Sequence, residues 1–178
     1  MRNVAAAAST TTMAVYTHFD GMPGLWLAVR ERSFGAVEAR LRGLRASDDA
    51  IADLIASGAA YVDAALADQA LFLVLFEVRR TETQPAAAAS TFAVLIGAVS
   101  RAVASGRLHP DVDALTAATR FWAMTHGTLV LVCTGALPTS APDDHLPAMY
   151  IAQLVALGDD PHRAELSTHA GWATRTVR

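Results

Sequence analysis

Thr10, Thr11 and Thr12 are consecutive, and Tyr16, Thr17 and His18 follow close behind. Threonine is a poor helix former whose hydroxyl suits a helix N-cap and readily contacts phosphate oxygen. Val15 and Phe19 are four apart, so a helix that turns both toward a core turns Tyr16 and His18 outward. This stretch therefore reads as a short helix near 11–19 with hydroxyls at its start.

A second group of such residues lies in mid-chain. Trp122, Met124 and His126 occupy the most apolar long segment, and Trp122 and His126 are four apart, hence on one helix face. Tyr61, Phe72, Phe76 and Phe92 come from other segments that read as helical. An apolar cavity with a few polar handles is the usual form of a small-molecule site, with His126 and Tyr61 as the handles here. The same residues could equally fill a core in which His126 is hydrogen-bonded, and their spacing alone leaves both readings open.

Catalysis and metal binding find little support. His109, His126, His145, His162 and His169 form no His-x-x-x-His or His-Glu pattern, and no Gly-x-Ser-x-Gly elbow or Gly-rich phosphate loop occurs. Asp111, Asp113, Asp143 and Asp144 read as helix-start carboxylates favoured by the helix dipole. No catalytic residue, metal or cofactor is expected.

The elements that must position these groups are helices. Gly and Pro punctuate the chain at 21–24, 105–110, 135–142 and 158–161. Asp20 is placed as an N-cap ahead of Pro23, opening a helix over about 23–43. "RASDD" begins another that ends near Asp68, and Ile51, Leu54, Ile55, Tyr61, Val62 and Leu66 mark its apolar face. Further helices are expected over 71–78, 86–104, 111–134 and 143–157. No strand-turn-strand signal appears, so the fold class is all-α.

The apolar fraction is 53% and the charged fraction 17%, enough for a large core in one domain or in one small module on a larger one. Residues 1–46 hold six Arg against Asp20, Glu31 and Glu38, so +3, which leaves −6 of the total −3 to the remainder. A mildly basic head on an acidic body is compatible with a nucleic-acid end and another end. Cys133 is the single cysteine, so no intrachain disulfide exists and a reducing cytoplasm fits. No uninterrupted apolar run reaches the ~18 residues of a membrane span, and the apolar stretch after Arg2 is too short for a signal peptide. The helix at 111–134 is apolar nearly all round in its second half and needs burial on all sides. A second copy packing the 111–134 and 143–157 helices as a four-helix contact satisfies this, which predicts a homodimer.

"VAAAASTTTMAVYTHFDGMPGLWLAV" (4–29) resembles the helix-turn-helix of TetR-family repressors, with Val4, Ala5, Ala8, Val15, Tyr16, Phe19, Leu25 and Val29 at corresponding positions. "FWAMTHG" (121–127) is similar to the Trp-x-x-x-His-Gly motif in the ligand-binding domains of one TetR subgroup. The resemblance implies a partial DNA-binding head with its linker helix over 1–43 and a helical effector-binding and dimerisation body over 44–178. It also implies a ligand-responsive regulator, a repressor in type, whose partners are palindromic operator DNA and a small apolar effector.

Within that resemblance Thr10, Thr11 and Thr12 stand where the recognition helix enters the major groove, with Tyr16, Thr17 and His18 as phosphate donors. Family members carry a further helix and loop ahead of this point. Ser9 stands where Gly is usual, and Met22 where a Lys commonly touches phosphate. Residues 1–20 are therefore expected to be the most mobile helical part and to bind DNA weakly. The alternative is a helical small-molecule-binding dimer that does not bind DNA.

Overall fold

The computed structural model describes residues 2–76 and 86–176. All of the regular elements among them are helical: α1 (Arg2–Ala7), α2 (Thr12–Phe19), α3 (Met22–Arg42), α4 (Ala50–Ala67), α5 (Gln69–Phe76), α6 (Ala86–Ala104), α7 (Ala114–Cys133), α8 (Ala141–Ala156) and α9 (Pro161–Trp172). The end of the helix expected over 71–78 falls outside the described residues.

The hub of the fold is α4. Asp49 caps it, accepting from the N–H groups of Ile51 and Ala52 at 3.0 Å each. Its 18 residues have a mean hydropathy of 1.4, long and apolar enough by composition alone to cross a membrane. Here that apolar surface meets other helices, with Ile51, Leu54, Ile55 and Val62 each at most 1% exposed. Packing α4 against α6, α7 and α9 takes the place of lipid. Gly171 lets α9 approach closely, since a Cβ there would lie 2.4 Å from the Ala52 carbonyl oxygen.

One helix was not anticipated and two expectations are corrected. The segment after Gly158 forms a helix, α9, that hydropathy did not disclose because its mean apolarity is low. The signal was local: Asp160 accepts from the Arg163 N–H at 2.9 Å, and Pro161 sits in the first turn. Residues 111–113 precede α7, because Asp113 is its N-cap, accepting from the Thr116 N–H at 2.8 Å. Asp20 does not cap α3. It ends α2 in the left-handed region (φ 52°), its N–H donating to the Tyr16 carbonyl at 2.9 Å. Gly21, at φ 90°, takes the N-cap position of α3 without any side-chain bond.

Candidate ligand cavity and nucleic-acid face

The cavity is built where α3, α4, α5, α6, α7 and α8 converge. It measures about 500 Å³ and its lining is mostly aliphatic and aromatic. Tyr61, Phe76, Phe92 and Trp122 all line it, from four different helices. Phe76 and Phe92 flank Trp122 with ring centroids at 6.4 and 5.8 Å.

Phe72 and His126 stand behind this wall. His126 packs against Phe76 (centroids 4.3 Å), Phe72 (5.3 Å) and Trp122 (5.2 Å), and its Nδ1 lies 3.2 Å from the Tyr61 hydroxyl. Burial lowers the His126 pKa and raises that of Tyr61, against which a hydrogen bond from Trp122 acts more weakly. A neutral imidazole with Nδ1 accepting from the Tyr61 O–H satisfies both groups. His126 thus orients Tyr61 and backs the cavity wall through Tyr61, Phe76 and Trp122.

Several lining groups were not singled out from sequence. Arg30 and Phe34 come from α3, and both are buried, at 4% and 7% exposed. The signal existed, because Trp26, Arg30 and Phe34 are four apart and Arg30 interrupts an otherwise apolar stripe. Tyr150 of α8 is 1% exposed, and its hydroxyl lies 2.5 Å from Thr125 Oγ1. Gly58 makes room for that hydroxyl, since a Cβ there would lie 2.8 Å from it. A mid-helix Gly facing a Tyr from a helix far along the chain leaves no periodic trace.

The head is a helix, a turn and a second helix. The turn after α1 is a Schellman closure: the Thr10 N–H donates to the Ala5 carbonyl (2.9 Å) and the Ser9 N–H to Ala6 (3.1 Å). Ser9 itself sits at φ 50°, the left-handed conformation in which Gly carries no steric cost. Thr11 is the N-cap of α2, its hydroxyl accepting from the Ala14 N–H at 3.1 Å. Thr17 donates back to the Met13 carbonyl at 3.0 Å. Thr10, Thr11, Thr12, Tyr16, Thr17 and His18 are all exposed, while Ala5 and Val15 are buried between the helices. Among the described residues no group of three or more His, Cys, Asp or Glu could hold a metal ion.

The described residues form an all-α body around an apolar, ligand-sized cavity, joined through a long helix to an exposed helical pair. Residues 54–174 match the family model described as tetracyclin repressor-like, C-terminal domain, and the chain belongs to that family of transcription regulators. No curated protein and no solved structure matches it significantly.

Proposed function

We propose that this protein is a ligand-responsive DNA-binding regulator, a repressor in type, that acts as a homodimer. The observation that carries this reading is the course of α3. Only Asp20 and Gly21 separate that helix from α2, and it then contributes Arg30 and Phe34 to the cavity wall. A ligand that displaces α3 displaces the exposed face of α2 with it. Residues 1–43 serve as the head and 44–178 as the body, α3 being common to both. Thr10, Thr11, Thr12, Tyr16, Thr17 and His18 form the DNA face. Tyr61, Phe76, Phe92 and Trp122 contact the effector, with Phe72 and His126 supporting them.

The dimer surface in this reading is a stripe on α7, Arg120, Ala123, Gly127 and Leu131, with Ala148, Ala152 and Val155 on α8. All seven are exposed, and the small Ala123, Gly127, Ala148 and Ala152 among them let helices approach.

The experiment is electrophoretic shift with the flanking promoter region at stated salt, with and without a cavity ligand. Retardation that the ligand reverses supports the reading. By linkage the DNA must weaken ligand binding by the same factor.

One observation favours a second reading, a ligand-binding dimer that does not engage DNA. The exposed face of α2 presents no Lys or Arg, and α3 starts at Met22 with no charged group in its first turn. Phosphate neutralisation supplies most non-specific DNA affinity, so this head has little of it. Ligand binding without any shift at low salt decides for the second reading.

A further inference from the structure

The hydroxyls that line the cavity share a property: their protons are already committed. Ser57 Oγ donates to the Asp53 carbonyl at 3.0 Å, Thr119 Oγ1 to Leu115 at 2.8 Å, and Thr91 Oγ1 to Phe34 at 3.3 Å. Thr125 Oγ1 donates to the Phe121 carbonyl at 2.8 Å. A hydroxyl has one proton, so the 2.5 Å contact between Thr125 and Tyr150 has Tyr150 as its donor. With His126 neutral and its Nδ1 unprotonated, the Tyr61 proton is directed to that Nδ1. Toward the cavity these groups present lone pairs.

Tyr150 is the most deeply placed of them. It is 1% exposed, and Gly58 leaves its oxygen against bare backbone. A ligand group that reaches this oxygen has to be a donor, because a second acceptor there leaves two buried oxygens facing each other. An ammonium is disfavoured as the donor, since among the described residues no carboxylate lines the cavity and an uncompensated buried cation is costly. Among the described lining residues Arg30 is the charged one, and it has a partner within the protein. Its guanidinium opposes a second cation rather than inviting one.

We infer that the cavity takes a neutral apolar molecule carrying a hydroxyl, a phenol or an alcohol, whose O–H donates to the Tyr150 oxygen. This deepens the effector-site reading of the cavity and rests on it.

The test is calorimetric titration of the intact protein with four matched probes: 4-hydroxybiphenyl, 4-methoxybiphenyl, biphenyl and 4-(aminomethyl)biphenyl. The expected result is that the hydroxyl compound binds about tenfold more tightly than the ether or the hydrocarbon, the worth of one ordinary hydrogen bond, and that the amine binds least. Tyr150→Phe keeps the ring and removes the oxygen, so it abolishes the preference for the hydroxyl compound over the ether and the hydrocarbon. Thr125→Val frees the Tyr150 proton, so the ether gains on the hydroxyl compound. Equal binding of hydroxyl compound, ether and hydrocarbon overturns the inference and leaves the cavity as a ligand site. A preference that survives Tyr150→Phe also overturns it. If no probe binds, biphenyl included, the effector-site reading falls as well.

Discussion

Arg175 Nε lies 3.0 Å from Asp63 Oδ1, and the two residues, 112 positions apart, are 3% and 1% exposed in their side chains. Asp63 stands in the C-terminal third of the core helix α4, and its other oxygen accepts from the Thr176 N–H (2.6 Å), the Thr176 hydroxyl (2.8 Å) and Arg40 of α3 (3.3 Å). Arg175 also pairs with Asp143 at the start of α8. The segment after α9 thereby ties α3, α4 and α8 together. Removing one partner of a buried pair leaves the other charge uncompensated, which costs about 3–5 kcal/mol. Arg175→Ala is expected to lower stability by that order in urea titration. Arg42→Ala, which breaks the exposed Glu38–Arg42 pair, should change it by about 0.5 kcal/mol or less. Similar losses for the two variants would mean that the Asp63 network is not a stabilising element.

The same carboxylate sets an acid limit. Burial alone would raise the Asp63 pKa, but the hydrogen bonds from Thr176 and Arg175 and the Arg175 charge outweigh it, and the net shift is downward. A depressed folded pKa contributes stability that is fully present above the unfolded value of about 4 and is lost as pH falls through the folded one. Urea midpoints for Asp63→Asn should be lower than wild type at pH 6, with the gap narrowing as pH falls below about 4. A gap independent of pH would show that the charge at Asp63 contributes nothing.

His126 acts in a different window. Its pKa is lowered by burial, so the unfolded chain binds the proton more readily than the folded one. Its contribution is complete above the ordinary His value of about 6.5 and declines as pH drops from there toward the depressed folded value. Wild-type midpoints should fall between pH 7.5 and 5.5, and His126→Phe should flatten that slope while loosening Tyr61. An unchanged slope would place the titration on another group.

How much of this was legible follows from which signals repeat. The helices α3, α4, α6, α7 and α8 announced themselves through apolar spacing and punctuation, and α2 through Thr11 and the Val15–Phe19 pair. Four aromatic cavity residues were found because large rings in an apolar helical chain converge on few places. Phe72 and His126 belong to the same cluster but stand one layer back, a distinction that only three-dimensional packing makes. Arg30 entered only as one of the basic residues of 1–46, although its spacing four before the buried Phe34 placed it on the same helix face. Tyr150, Thr125 and Gly58 meet through a helix crossing that no local pattern encodes. Asp20 was misassigned because Asp serves either as an N-cap or, as here, at positive φ, and only the neighbouring Gly21 decides between them.

The head depends on Gly24. In the first turn of α3 the backbone passes so close to Phe19 that a Cβ on residue 24 would lie 1.6 Å from its carbonyl oxygen. Gly24→Ala must push α2 and α3 apart, an overpacking cost of about 1–3 kcal/mol. Helix α2 has eight residues, and isolated helices shorter than ~12–15 residues scarcely form in water, so it relies on this packing. In hydrogen exchange, amides at 13–19 should exchange faster than those of α7 in the wild type, and faster still in Gly24→Ala, with α4 and α7 unaffected. Protection at 13–19 equal to that of α7 would mean that the head needs no further support.

The dimer prediction turns on choosing side chains that face outward. From sequence, Leu131 and Leu154 both suit an Arg substitution, as apolar positions on helices assigned to the interface. The structure separates them: Leu131 is 46% exposed, whereas Leu154 is 0% exposed in the core beside Leu146 and Tyr150. Leu154→Arg would bury an unpaired cation and unfold the body, so loss of association in that variant carries no information about the interface. Ala152 of α8 is exposed, as is Gly127 of α7, where an added Cβ would meet nothing within 4 Å. Leu131→Arg and Ala152→Arg should each leave the helical circular dichroism and the urea midpoint of the body near wild type. In sedimentation at micromolar concentration each should shift a dimer to monomer, because like charges meet across the two-fold axis. Dimers that persist in both variants would move the interface off α7 and α8, and a wild type that sediments as a monomer would remove it altogether.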